Sequence, residues 1–296
     1  MSLPGSFQAK KKDGTIYYRS SITYKNKHIS LGSFPTETEA HAAYLQASAV
    51  IADTRLTIDS YGSDAKLILN SCLNDEILTT DSYSIETNPA INFSGNDIIL
   101  SFEKWVILAN FRDNNIYFST PIYVRPKFFY YYLTREMRLT FDIDDLFFYA
   151  SHKISRRGGH LFVADYGMQL SIHARYGIKN YAVLGKDYRF INEDIYDYRY
   201  ENIEILNPYH GVSLSDTKET KKYCAKIHLH GNYTIGYYES AMEAAIAYNK
   251  AIDIVKRNGC KKNFMINEME GISPSVYADI YSKLKVSEKI MDYLPE

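Results

Sequence analysis

The feature that most constrains this chain is a repeat that places one sequence pattern near each end. The first copy covers Tyr17–Ala47 and the second covers Tyr223–Ala251. The matched positions are Gly32 with Gly236, Thr36 with Ser240, Glu39 with Glu243, Tyr44 with Tyr248, and Ala40, Ala43 and Ala47 with Ala244, Ala247 and Ala251. Agreement of this extent is improbable by chance, so we predict two copies of one small fold unit.

Each copy begins with the pattern of a half-buried antiparallel hairpin. Residues 17–24 and 28–34 alternate apolar and polar side chains around the polar turn Lys25-Asn26-Lys27, as hairpin strands with one buried face do. In the second copy, Ile227 and Leu229 alternate with polar residues before a Gly231-Asn232 turn. One face of each hairpin is therefore predicted to be apolar and the other to present hydrogen-bonding groups.

A helix is predicted to follow each hairpin. Thr36 and Glu39 are three residues apart, as are Ser240 and Glu243, which is the spacing of a capping box at a helix start. Alanines at regular spacing follow in both copies. Because alanine is small, such a helix lies close across a sheet and leaves the other face of the sheet open.

Composition limits the class of protein. The chain has 296 residues, of which 46% are hydrophobic and 23% charged, and its length favours about two domains. The sequence has neither an apolar stretch of membrane-spanning length nor the apolar core of a secretory signal, so we expect a cytoplasmic protein with no membrane partner. The net charge of −1 gives no global attraction to nucleic acid, so a nucleic-acid function would depend on local patches.

The second copy resembles a known DNA-binding family. Extended to residues 209–267, it is similar to the plant ethylene-response-factor (APETALA-type) domain, which also occurs in phage and bacterial endonucleases. The marks are Tyr209-His210-Gly211-Val212, Ile235-Gly236-Tyr237-Tyr238, Glu243-Ala244-Ala245-Ile246-Ala247-Tyr248, and Asn263-Phe264 with Asn267. The N-terminal copy resembles it less closely, with Gly5-Ser6-Phe7 in place of the opening motif. The resemblance implies a three-stranded sheet that lies in the DNA major groove.

The resemblance also implies which side chains meet DNA. Alternate outward residues on the strands would face the bases, and cations near the turns would meet phosphates. These are Arg19, Ser21, Thr23, Lys25, Lys27 and Ser30 in the first copy, and Lys222, Lys226, His228, His230 and Thr234 in the second. The family usually carries more arginine on this sheet; here Arg19 is the one arginine among the implied contacts.

Residues 143–207 resemble an HNH homing-type nuclease module, which often precedes such a DNA-binding domain. The marks are Ile172-His173-Ala174-Arg175, Ile191-Asn192-Glu193-Asp194, Asp197-Tyr198-Arg199 and Glu201-Asn202-Ile203. Active relatives hold a metal ligand and a general base where this chain has Arg189 and Phe190. A guanidinium repels a cation and a phenyl ring accepts no proton. The short space between Asn202 and Tyr209 also leaves no room for the helix that carries a further ligand.

These observations predict an α+β protein in five segments. Two modules of three-stranded antiparallel sheet plus one helix, at 1–60 and 209–270, flank a β-rich region at 61–142 and a degenerate ββα element at 143–208, and a helical tail covers 271–296. Ile98–Phe118 and Ile122–Leu139 are predicted to be strands. The aromatic run Phe128–Tyr132 is expected in the core, and Lys283–Tyr293 as a short helix.

The function predicted from the sequence is specific binding of double-stranded DNA by a monomer with two modules, no catalytic residue and no cofactor. One alternative is an active endonuclease of homing or restriction type, with Mg²⁺ as cofactor and substituted catalytic groups. Its candidate residues are Asp187, Tyr188, His173 and His210. Another alternative is a protein-binding adaptor that uses the acidic centre of the chain.

Overall fold

The structure is a computed structural model that describes residues 2–74, 98–217 and 220–295. It is a mixed α+β protein with several small three-stranded antiparallel sheets and helices, which confirms the α+β part of the predicted fold class. The chain divides into two compact units, residues 1–155 and residues 156–296. Part of the predicted β-rich region, residues 75–97, lies outside the described residues.

The first unit begins with a sheet and a helix. In chain order these elements are β1 (Ser6–Lys10), β2 (Ile16–Tyr24), β3 (Lys27–Phe34) and α1 (Glu37–Ala52). The predicted hairpin is confirmed, with Lys25 and Asn26 alone in its turn. Both have positive φ, 45° and 62°, as a two-residue turn that matches the strand twist requires. Thr36 and Glu39 form the predicted capping box at the start of α1.

Small side chains let α1 lie directly on this sheet. Ala40, Ala43 and Ala47 are fully buried. The inward residues of the hairpin, Ile22 and Ile29, are buried as well. The opposite face of the sheet is left uncovered by the helix, as the alanine pattern predicted.

Three further helices and a second sheet lie in the first unit. These elements are α2 (Ser63–Asn74), α3 (Phe102–Asn114), β4 (Ile122–Val124), β5 (Phe128–Tyr132), β6 (Arg138–Asp142) and α4 (Leu146–Ser151). Ile29 and Leu31 from the first sheet share one hydrophobic core with Trp105 and Leu108 of α3. Phe129, Tyr131 and Tyr132 are buried, so the expected core position of the aromatic run is confirmed for these three residues.

The prediction of strands across Ile98–Phe118 is wrong, because this segment contains α3. Every residue from Trp105 to Phe111 is buried. A helix that is buried on all sides has no polar face, so its sequence lacks the 3.6-residue period that would identify it. Ser101 caps its N-terminus through a hydrogen bond from the Lys104 amide. The strands predicted across Ile122–Leu139 are confirmed in part by β4 and β5.

The second unit carries a hairpin-rich region followed by the second copy of the repeat. In chain order the elements are β7 (Ile154–Arg157, which starts at the end of the first unit), β8 (His160–Asp165), β9 (Met168–Ser171), α5 (Ile172–Arg175), β10 (Tyr188–Phe190), β11 (Ile203–Ile205), β12 (Val212–Thr217), β13 (Thr220–His228), β14 (Asn232–Tyr238), α6 (Ala241–Arg257), α7 (Pro274–Lys283) and α8 (Glu288–Met291). Ser240 and Glu243 form the second capping box. The helix expected within Lys283–Tyr293 is α8, and α7 precedes it.

The two copies share an unusual close contact. Gly5 and Gly211 have φ of +72° and +71°, and a Cβ atom at either position would overlap the ring of Tyr44 or of Tyr248. The carbonyl of each glycine accepts a hydrogen bond from a central-strand residue that lies opposite a bulge in the third strand. These bonds are Ser21 N to Gly5 O at 3.2 Å and Lys226 N to Gly211 O at 2.7 Å. The copies are therefore alike in detail as well as in topology.

Gly211→Ala is expected to lower the free energy of unfolding by about 2–4 kcal/mol, because it adds backbone strain and an overlap with Tyr248. Urea unfolding followed by circular dichroism measures this loss. The matched control is Gly231→Ala, because Gly231 has no left-handed φ and a Cβ atom added there would project into open space. We expect the control to change stability by less than about 0.5 kcal/mol. Equal losses in both variants would contradict the close-contact explanation.

Candidate nucleic-acid interface

The outer face of the first sheet collects most of the polar residues predicted there. Across the strands, the outward residues form rows in which Phe7 lies beside Arg19 and Ser33, Ser21 beside Ser30, and Thr23 beside His28. The neighbouring inward residues, Ile22 and Ile29, are buried under α1. Arg19, Ser21, Thr23 and Ser30 are therefore brought together on the face that the helix leaves open.

Arg19 is held in place by a neighbour on its own strand. Its Nε and Nη2 atoms donate to the hydroxyl of Tyr17 at 3.2 and 2.8 Å. The guanidinium carbon lies 5.6 Å from the centre of the Tyr17 ring. A guanidinium oriented in this way loses less conformational freedom when it binds a flat acceptor.

Lys25 and Lys27 lie at the turn end of the sheet, beside α3. The Lys25 ammonium donates to the side-chain oxygen of Asn115 and lies 5.0 Å from the centre of the Tyr24 ring. The Lys27 ammonium lies 4.9 Å from the centre of the Tyr117 ring. Both cations thus lie against aromatic rings at the turn end of the sheet and not on its open face.

The second sheet brings together Lys226, Thr234 and His228 on its outer face. Lys226 pairs with Thr234, and His228 pairs with Asn232. The ring of His228 is 3.0 Å from the side-chain oxygen of Asn232. Lys226 and His228 are exposed, whereas the inward residue between them, Ile227, is fully buried. This sheet therefore offers a primary ammonium and an imidazole where the first sheet offers hydroxyls.

Lys222 and His230 lie at the margins of the second sheet. Lys222 forms an ion pair with Glu239 at 3.0 Å. His230 follows β13 in the turn, where its ring stacks on Tyr293 with centres 6.3 Å apart. His230 therefore faces the C-terminal segment and is not part of the row formed by Lys226 and His228.

The structure adds residues that the sequence pattern did not single out. Lys262, from the segment after α6, donates to the carbonyl of His228 at 2.8 Å and so places a cation at the turn end of the second sheet. Phe7 and Tyr237 are exposed on the outer faces, at 57% and 58%. Pairing of β1 with β2 could have identified Phe7, but no local sequence signal places Lys262 there.

The two positions where nuclease groups are predicted to be missing have structural tasks. Arg189 pairs with Glu204 across the β10–β11 hairpin. Phe190 is 7% exposed, and its ring packs edge-on against Tyr188 and Tyr198 at 5.8 and 5.7 Å. One position therefore stabilises the surface of the hairpin and the other fills its core.

Asp187 is the centre of a buried polar network. Its carboxylate accepts from the Lys179 ammonium at 2.9 Å, from the Asn207 amide group at 2.8 Å and from the Val183 backbone at 2.8 Å. Lys179 also donates to the carbonyls of Tyr209 and Val212. These bonds tie the segment before β10 to the first strand of the second sheet.

The other alternative catalytic candidates, Tyr188, His173 and His210, are also built into packed surroundings. Burial raises the pKa of Tyr188, which is opposite to the shift that would make it a base. Burial and the charge of His160 lower the pKa of His173, whose ring nitrogen is 3.0 Å from the hydroxyl of Tyr198. Burial and then the Lys179 charge lower the pKa of His210.

In the parts of the chain that the structure describes, no three His, Cys, Asp or Glu side chains are grouped as metal ligands would be. None of the helices in the described ranges combines the length and the apolar character that crossing a membrane requires. Comparison of the chain with family models, with curated proteins and with solved structures finds no match.

The stability of the second unit is expected to fall as the pH drops below about 6.5. The folded pKa of His173 is lower than its usual value of 6.5, so the unfolded chain takes up the proton first. The stability that neutral His173 allows is present above the pKa of this histidine in the unfolded chain. It is lost as the pH falls toward the pKa of His173 in the folded chain. One histidine contributes at most about 1.4 kcal/mol per pH unit. Urea unfolding measured between pH 7 and pH 5 gives this slope.

His173→Gln should reduce the dependence of the unfolding free energy on pH by the amount that one histidine contributes. The control is His28→Gln, which changes an exposed histidine on the first sheet and should leave the slope as it is. An undiminished slope in His173→Gln would show that other groups cause the pH dependence.

Proposed function

We propose that this chain is a sequence-specific double-stranded DNA-binding protein that uses the outer faces of its two repeated sheets. The single observation that carries the proposal is the repeated arrangement of a three-stranded sheet with a helix on one face and polar side chains on the other. A face of this kind suits the major groove, which admits β-strands and presents hydrogen-bond donors and acceptors.

The architecture of the two copies supports the resemblance to ethylene-response-factor domains. Both copies have the strand order and the helix position that the resemblance implies. Both also contain the same glycine contact and the same bulge in the third strand. A bulge twists a strand locally, and the same twist in both copies gives them outer faces of similar curvature.

The chemistry of the outer faces supports the division into base contacts and phosphate contacts. Arg19 projects from the middle of β2, where a side chain would reach base edges. Lys262 lies at the turn end of its sheet, where a phosphate backbone would pass. Such cations supply affinity without sequence information.

The nuclease-like element is proposed to serve as a scaffold. Arg189 pairs with a glutamate, Phe190 is buried, and Asp187 is fully engaged by Lys179 and Asn207. Lys179, which pairs with Asp187, donates to the carbonyls of Tyr209 and Val212 and so holds the start of the second sheet. No contact among these residues favours the alternative endonuclease function with Mg²⁺.

The experiment that tests the proposal is selection of duplexes from a random library by the whole chain, followed by measurement of the affinity at several salt concentrations. We expect a defined sequence to be enriched and its affinity to fall with rising salt, because phosphate contacts release counterions. No enrichment, or binding that does not depend on salt, would contradict the proposal and favour a protein-binding adaptor.

Lys226→Ala and Lys262→Ala are each expected to weaken duplex binding and to reduce the salt slope by about one unit, because each removes one cation near DNA. Binding titrations by fluorescence anisotropy give both quantities. The matched control is Lys283→Ala. The ammonium of Lys283 pairs with Asp279, and its helix, α7, packs against α6 on the helix side of the module. A slope that changes equally in the control would place the interface elsewhere.

The purified chain is expected not to cut the selected duplex in the presence of Mg²⁺ or Mn²⁺, since the positions for a ligand and a base hold Arg189 and Phe190. A nicking assay on a plasmid that contains the selected site checks this. Specific cutting that disappears in Tyr188→Phe or His210→Ala would overturn the prediction and establish the alternative endonuclease function.

A further inference from the structure

An exposed aromatic side chain stands beside the arginine of the first sheet. Phe7 in β1 is directly opposite Arg19 in β2, and it is 57% exposed. Ser33 of β3 continues the same row. An apolar ring on an otherwise polar, open face loses contact with water only when a partner covers it.

The hydrogen bonds to Tyr17 orient the guanidinium of Arg19 but do not use all of its donors. Tyr17 accepts from the Nε and Nη2 atoms of Arg19, and the Nη1 atom takes no part in that bond. The end of the guanidinium that carries Nη1 and Nη2 has the spacing that matches two adjacent acceptors. Tyr17 thus acts as a positioning residue for a two-pronged donor.

We propose that Phe7, Tyr17 and Arg19 form a subsite for a guanine and a thymine in adjacent base pairs, a reading that rests on the proposed function. Arg19 donates to the O6 and N7 acceptors of guanine in the major groove. Phe7 contacts the C5-methyl group of the neighbouring thymine, which is the apolar group that the major groove presents. Tyr17 fixes the direction of the guanidinium.

The dimensions of a sheet and of DNA agree with this assignment. Directly opposite residues in an antiparallel pair have Cβ atoms about 4.5–5.5 Å apart, and successive base pairs are about 3.4 Å apart. Two side chains that project side by side therefore reach successive base pairs. In the second sheet the corresponding row holds Ser213, Cys224 and Tyr237; it has no arginine beside its aromatic residue, so the subsite belongs to the first sheet alone.

The test uses the duplex selected by the whole chain. Each thymine in turn is replaced by deoxyuridine, which removes the methyl group and leaves the base pairing intact. We expect one replacement, next to a required guanine, to weaken binding about threefold to tenfold, as loss of one buried methyl group does. Replacement of that guanine by 7-deazaguanine, which removes the N7 acceptor, should weaken binding further.

Protein variants assign each effect to its residue. Phe7→Ala should bind the thymine and deoxyuridine duplexes equally while it retains the guanine preference. Tyr17→Phe should relax the guanine preference and retain the preference for thymine. The control is Ile16→Ala, because Ile16 is 51% exposed and pairs with Lys10 outside the row; it should leave both preferences unchanged. Melting curves verify that each exposed substitution leaves the fold intact.

The outcomes separate this inference from the proposed function. If the chain binds a specific duplex but shows no dependence on any thymine methyl group, the subsite is wrong and the DNA-binding function stands. If the dependence persists in Phe7→Ala, the methyl contact lies elsewhere and the subsite is again wrong. If the chain binds no duplex, both the subsite and the proposed function are overturned.

Discussion

The close approach between a left-handed glycine and a helix tyrosine is the constraint on which each repeated module depends. Gly5 and Gly211 occupy a conformation that side chains rarely adopt, and the rings of Tyr44 and Tyr248 fill the space where a Cβ atom would be. The glycine carbonyl then accepts a hydrogen bond from the central-strand amide opposite the bulge in the third strand. Because a shift of one residue would turn every strand side chain to the other face, this bond helps fix which side chains point outward.

On this shared frame the two sheets carry different outward side chains. Their frames are alike, yet Arg19 and Phe7 share a row in the first sheet, while Lys226 and His228 occupy the outer face of the second. The cations at the turn ends also come from different places. Lys25 and Lys27 belong to the first hairpin itself, whereas Lys262 reaches the second hairpin from a later segment. One fold thus presents two chemically different surfaces.

A buried ion pair between Lys179 and Asp187 joins the segment before β10 to the start of the second sheet. Both side chains are less than one tenth exposed, and a buried charge is tolerated only when it is paired and hydrogen-bonded. Asn207 and the carbonyls of Tyr209 and Val212 complete the bonding. This buried network therefore anchors the first strand of the second sheet.

The sequence by itself determined the local units of this protein. It predicted both hairpins, both capping boxes and the alanine faces of α1 and α6, because strand alternation, helix caps and side-chain size act between residues close in the chain. It also predicted that Arg19, Ser21, Thr23 and Ser30 share a face, which needed only the two-residue period of a strand.

Tertiary structure decided what depends on distant residues. Burial on every side hid the helical nature of α3, and contacts with Asn115 and Tyr117 drew Lys25 and Lys27 to an aromatic edge. Stacking on Tyr293 turned His230 away from the outer face. The place of Phe7 beside Arg19 depended on the register of β1, and the place of Lys262 on the path of the chain after α6. Such contacts join residues far apart in the chain, so no local period in the sequence records them.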